Sequence, residues 1–101
     1  MIKKSKRQAI YAAVFSAFEH LELEHGYFVG WCDQPHVASV LNTFTYHVFF
    51  HDQDADDLKE TGRLYLAWGG DGNLIVRVLQ EHGLSVEWDG FDDHRILVTG
   101  P

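Results

Sequence analysis

The sequence predicts an α+β fold in which three helices pack on a mixed sheet of about five strands, in the order α-β-α-β-β-α-β-β. Three observations lead there. An apolar stripe at helical spacing opens the chain, short aromatic and β-branched runs follow it, and glycine-containing breaks separate those runs. With 101 residues, 46% of them hydrophobic, the sequence supports one domain over residues 1–101 with a single modest core.

The first helix is carried by Ile10, Ala13, Val14, Ala17, Phe18 and Leu21, which recur on one face. Ser5 with Gln8 matches a capping box and predicts its start, and Gly26 predicts its stop. Tyr27 to Trp31 reads as a short strand. Asp33 is placed to cap a second helix with Pro35 in its first turn and Val37, Val40 and Leu41 inward. Thr45 to His51 reads as a strand with Tyr46, Val48 and Phe50 on one face and His47, Phe49 and His51 on the other. The acidic run from Asp52 to Glu60 reads as a loop or a loose helical turn. Arg63 to Trp68 is the next strand, Gly69 to Gly72 breaks the chain, and a helix over Asn73 to His82 follows, with Asn73 as its cap. Ser85–Trp88 and Arg95–Thr99 form a closing hairpin. The segment from Leu64 to Trp88 is a candidate for a right-handed parallel crossover.

Charge narrows the function classes. The net charge is −7, yet four of the eight basic residues (Lys3, Lys4, Lys6 and Arg7) fall in the first seven positions. The remainder sets four basic against fifteen acidic residues. A body this acidic repels phosphate backbones, so neither nucleic acid nor an anionic membrane is an expected partner. No stretch approaches the ~20 apolar residues that span a bilayer. Cys32 is the only cysteine, which excludes an internal disulfide and a multi-cysteine zinc site and favours a cytoplasmic setting.

The strongest candidate site is where the strand of residues 45–51 ends in His51, Asp52, Gln53 and Asp54, because functional groups gather where a rigid strand hands over to a loop. His51 is a candidate general base, with Asp54, Asp52 or Asp89 to orient it or act as acid. Tyr65 and Trp88 are candidate aromatic walls, giving a ligand-binding set of His51, Gln53, Asp54, Tyr65, Trp88 and Asp89. The plain reading is that a carboxylate caps a turn there and His51 closes a strand edge. A metal reading of Cys32, His36, His47, His51 and Asp54 lacks defined ligand spacing, so no metal and no cofactor are expected. Gly69-Gly-Asp-Gly72 resembles the nucleotide-binding loop of NAD kinases and diacylglycerol kinases, but Asn73 stands where those carry Thr or Ser, no cation lies in the loop, and Asp71 repels phosphate.

Several segments together resemble a family of small bacterial proteins of unknown function. They are Phe49-Phe-His-Asp-Gln-Asp54, the Leu64–Gly69 strand, the Val78–Gly90 stretch with its Gly-Leu-x-Val-x-Trp-Asp-Gly pattern, and Arg95-Ile-Leu-Val98. The resemblance covers roughly residues 26 to 98. It implies a bacterial cytosolic protein with an α+β fold, and it implies no activity. Relatives of this pattern carry several cysteines where this chain has Trp31-Cys-Asp-Gln-Pro-His36, so a role built on them does not transfer. The leading expectation is a non-catalytic binding or regulatory module for a basic protein partner, by analogy with toxin-neutralising immunity proteins. The alternatives are a small acid–base enzyme using His51 with Asp54 or Asp89, and a nucleotide binder at Gly69–Gly72.

Overall fold

The computed structural model describes residues 2–32 and 45–100. The elements are α1 (Lys4–His25), β1 (Phe28–Cys32), β2 (His47–His51), α2 (Asp52–Thr61), β3 (Leu64–Gly69), α3 (Gly72–Glu81), β4 (Ser85–Glu87) and β5 (Ile96–Gly100). Among the described residues the α+β class, a five-stranded mixed sheet and three helices are present, one of the helices (α2) where a loop or loose turn is expected. The helix expected after Asp33 lies outside the described residues.

The strands lie in the order β1-β2-β3-β5-β4. The β1–β2 pair is parallel and the other three pairs are antiparallel. Strands β3 and β4 therefore run in the same direction, as the crossover expectation requires, but β5 lies between them. The expected hairpin is the β4–β5 pair, with Val86 opposite Val98 and Glu87 opposite Leu97.

The period of two divides each strand between two faces. Val48, Phe50, Leu64, Leu66, Ile96 and Val98 share one core with Ile10, Val14, Ala17, Phe18 and Leu21 of α1, Ala55 and Leu58 of α2, and Ile75, Val78 and Leu79 of α3. All three described helices thus cover one side. The opposite side carries a smaller cluster in which Phe49, fully buried, packs against Phe28 and Ala67. The face assignment read from residues 45–51 holds.

Two local expectations change. The helix α1 starts at Lys4 with Lys3 at its N-cap, and no side chain caps it. Ile2 instead donates its N–H to the Lys59 carbonyl at 3.2 Å, so the entry of the chain is set by α2 rather than by Ser5 and Gln8. The acidic run is a ten-residue helix, α2, not a loop. Its only apolar residues, Ala55 and Leu58, sit three apart and both enter the core. Gly62, in the left-handed region at φ 77°, closes it.

Phe18 is 1% exposed and packs against Phe15 and Phe50, at ring-centroid distances of 6.2 and 6.3 Å. Phe18→Ala removes a ring from the centre of the helix–sheet interface. It is expected to cost about 3–5 kcal/mol of stability, read as a lowered midpoint in urea denaturation.

Candidate functional site

The handover from β2 to α2 is a reciprocal cap. His51 is the N-cap residue, and its Nδ1 accepts the Gln53 backbone N–H at 3.2 Å. Asp54 reaches back so that its Oδ2 accepts the His51 backbone N–H at 3.0 Å. Each side chain thereby serves one of the free N–H groups at the helix start. The carboxylate also favours the positive end of the helix dipole. The side chain of Asp54 is only 3% exposed and is neutralised by Arg95, whose Nη1 donates to Oδ1 at 3.0 Å. His51 Nε2 stands 3.6 Å from Asp54 Oδ2. Gln53 turns along its own helix to donate to Asp57 at 3.2 Å.

The candidates divide into three places. His51 and Asp54 are in contact. Asp89 belongs to a separate turn, where its Oδ1 accepts the Phe91 N–H at 3.0 Å and its Oδ2 bonds His94 Nδ1. Trp88 lies on the helix-covered side, edge-on to Trp68 at 5.4 Å, with its indole N–H donated to the Phe91 carbonyl at 3.1 Å. Tyr65 projects from the opposite side, between the inward Leu64 and Leu66. Tyr65 and Trp88 therefore do not wall one pocket.

Neither His94 nor Arg95 is among the site residues expected from the sequence, yet these neighbours join the two acidic places: His94 holds Asp89, and Arg95 holds Asp54. Trp68 adds a tie by donating its indole N–H to the His94 carbonyl at 2.9 Å. Ala67, Trp68 and residues 92–95 border a shallow cleft of about 210 Å³ beside this junction. One signal in the sequence pointed to Arg95. Outside the first seven positions only four cations are available, and a carboxylate drawn into a fold needs one.

The glycine break is filled by rings. A Cβ on Gly72 would meet Trp88 at 2.5 Å and Trp68 at 2.8 Å, and one on Gly70 would meet the Tyr27 hydroxyl at 2.7 Å. Gly70 also has φ 110°, a conformation that side chains disfavour. The Asp71 N–H donates to the Tyr27 hydroxyl at 2.9 Å, and Asp71, not Asn73, caps α3 by accepting the Leu74 N–H at 3.2 Å. Close packing under Trp88 sets the helix start at Gly72, one residue earlier than expected. The glycines are used for ring packing and two of the local N–H groups are engaged, which leaves a poor cradle for phosphate.

Residues 31–100 match the family model "Domain of unknown function (DUF6891)", which covers more than half of the chain. The chain belongs to the DUF6891 family. No curated protein and no solved structure matches it. The DUF6891 match takes in the His51–Asp54–Arg95 cluster, the glycine break and the 88–95 turn, whereas α1 precedes it. Among the described residues no three His, Cys, Asp or Glu side chains are placed to enclose a metal ion, and His36 of the sequence-derived ligand set lies outside those residues. Among them, too, no helix is long and apolar enough to cross a membrane.

The Asp89–His94 pair makes the turn sensitive to pH. Its hydrogen bond to His94, then that from Phe91, holds the Asp89 carboxyl below its ordinary value of 3.8. The same bond and the Asp89 charge hold the His94 imidazole above its ordinary 6.5. The contribution of a raised histidine is complete below its unfolded value and is lost as pH rises through the folded one. That of a lowered carboxylate is complete above its unfolded value and is lost as pH falls through the folded one. The turn is therefore tied best between about pH 4 and 6.5. In an NMR titration His94 is expected to titrate above 6.5, and Asp89→Asn is expected to bring it back to about that value. A second expectation concerns Gly72. Gly72→Ala, which forces Trp88 or Trp68 aside, is expected to lower stability by about 1–3 kcal/mol in thermal or urea melts.

Proposed function

We propose that this DUF6891 protein is a non-catalytic binding module of the bacterial cytoplasm whose partner presents a basic protein surface. The observation that carries this reading is the commitment of the best acid–base candidate. His51 Nδ1 accepts a helix N–H, His51 Nε2 faces Asp54, and the Asp54 carboxylate is matched by Arg95. A general base needs a nitrogen turned toward substrate, and here both nitrogens turn toward the protein.

The exposed charge supports the choice of partner. Asp52, Asp56 and Glu60 are exposed along α2, and Asp89, Asp92 and Asp93 are exposed in the turn before β5. Acidic surfaces of this kind speed encounter with a basic protein and repel nucleic acid. Toxin-neutralising immunity proteins are an analogy for such masking. The acid–base alternative keeps one favourable feature, the 3.6 Å approach of His51 to Asp54.

Affinity capture with the purified chain from a bacterial lysate, at low and at raised salt, tests the binding reading. A basic protein that is retained at low salt, released by salt, and weakened by Asp56→Lys with Glu60→Lys is the expected result. Absence of any captured protein at every salt concentration counts against binding. Turnover of simple ester or phosphoester substrates that disappears in a folded His51→Ala variant would establish the enzyme reading instead.

A further inference from the structure

An open depression lies away from the candidate residues described above. It measures about 550 Å³ and is bordered by Glu19, His20, Glu24 and His25 of α1 and by His82, which follows α3. The His20 and His25 rings stack at 5.7 Å, and the His20 and His82 rings meet edge-on at 5.5 Å. His20 Nδ1 and His82 Nε2 share a hydrogen bond at 3.3 Å.

The electrostatics of this place favour a cation. Helix α1 ends at His25 and α3 ends at Glu81, so the negative ends of two helix dipoles come together here. The carboxylates of Glu19 and Glu24 add to them. Imidazole nitrogen is the preferred donor for borderline divalent ions such as Zn²⁺. Zinc–nitrogen bonds of about 2.0–2.1 Å at the tetrahedral angle put neighbouring nitrogens about 3.3–3.4 Å apart. The His20–His82 separation already has that value.

We propose that His20 Nδ1 and His82 Nε2 form a binding site for a divalent transition-metal ion of the Zn²⁺ class. No three described side chains enclose an ion, so water completes the coordination sphere, while the Glu19 and Glu24 carboxylates contribute through their field. As the metal enters, the proton between the two nitrogens moves to the far nitrogen of the ring that carries it. Each imidazole then keeps one N–H and gives one lone pair to the ion, and no net proton is released. The ion joins α1, which lies before the DUF6891 match, to the end of α3, which lies within it.

Calorimetric titration of the chelator-treated full chain with ZnCl₂ tests the site. One ion per chain is expected, with a zinc-dependent rise in melting temperature. His20→Ala and His82→Ala are each expected to weaken binding by at least about tenfold and to abolish the rise, while His94→Ala leaves both unchanged. If His82→Ala fails to fold, His82→Gln retains a polar side chain without the imidazole, and circular dichroism checks its fold. Undiminished zinc binding by the two folded variants, or no zinc binding by the native chain, overturns the proposal.

Discussion

The apolar stripe of α1 is buried in the one core that the sheet shares with all the described helices, and the remaining elements are arranged around that burial. Ile10, Val14, Ala17, Phe18 and Leu21 are all at most 1% exposed. Deep burial of five such side chains is the main favourable term in a domain this small, at about 1.5–3 kcal/mol for each of the larger ones. It also explains the shorter helices. Ala55 and Leu58 close the core at the start of α1, and Ile75, Val78 and Leu79 close it along the other flank. Polar detail is added at the rim. The Asp54 carboxylate is tolerated beside this core because a backbone N–H and a guanidinium both serve it.

Closing the cap with His51 also removes a chemical opportunity. A histidine and an aspartate three residues apart at a strand end resemble an acid–base pair when read one residue at a time. In three dimensions the same two side chains are a helix start, and their lone pairs are directed at N–H groups. The glycine break follows the same logic, since Trp88 and Tyr27 occupy the space that a Cβ would need. Side chains that look reactive in the sequence serve as structure at both places.

Periodic signals were legible in the sequence. The stripe of α1, its stop at Gly26 and the two faces of β2 all follow from spacing of 3.6 or 2 and from glycine backbone freedom. The second described helix was not, because α2 carries only Ala55 and Leu58 as apolar anchors and is stabilised by a cap closed by a histidine, which is an uncommon N-cap residue. The candidate cluster was half legible. His51 and Asp54 are three residues apart and meet locally, whereas Arg95 reaches Asp54 across 41 positions. The His20–His82 approach spans 62 positions. Contacts between elements distant in sequence depend on strand order, and no local pattern encodes that β5 lies between β3 and β4.

That strand order bears on how the chain assembles during synthesis. Strand β4 leaves the ribosome before β5, yet its only partner in the sheet is β5. The edge of β3 that will receive β5 likewise waits unpaired. Until Ile96 to Gly100 is free to pair, β4 has no strand to join and β3 lacks its second neighbour. Ile96 and Val98 then complete the core from the strand that joins β3 to the edge strand β4. The sheet therefore closes from within, and until β5 inserts, the β3 edge stays open to pairing with another chain.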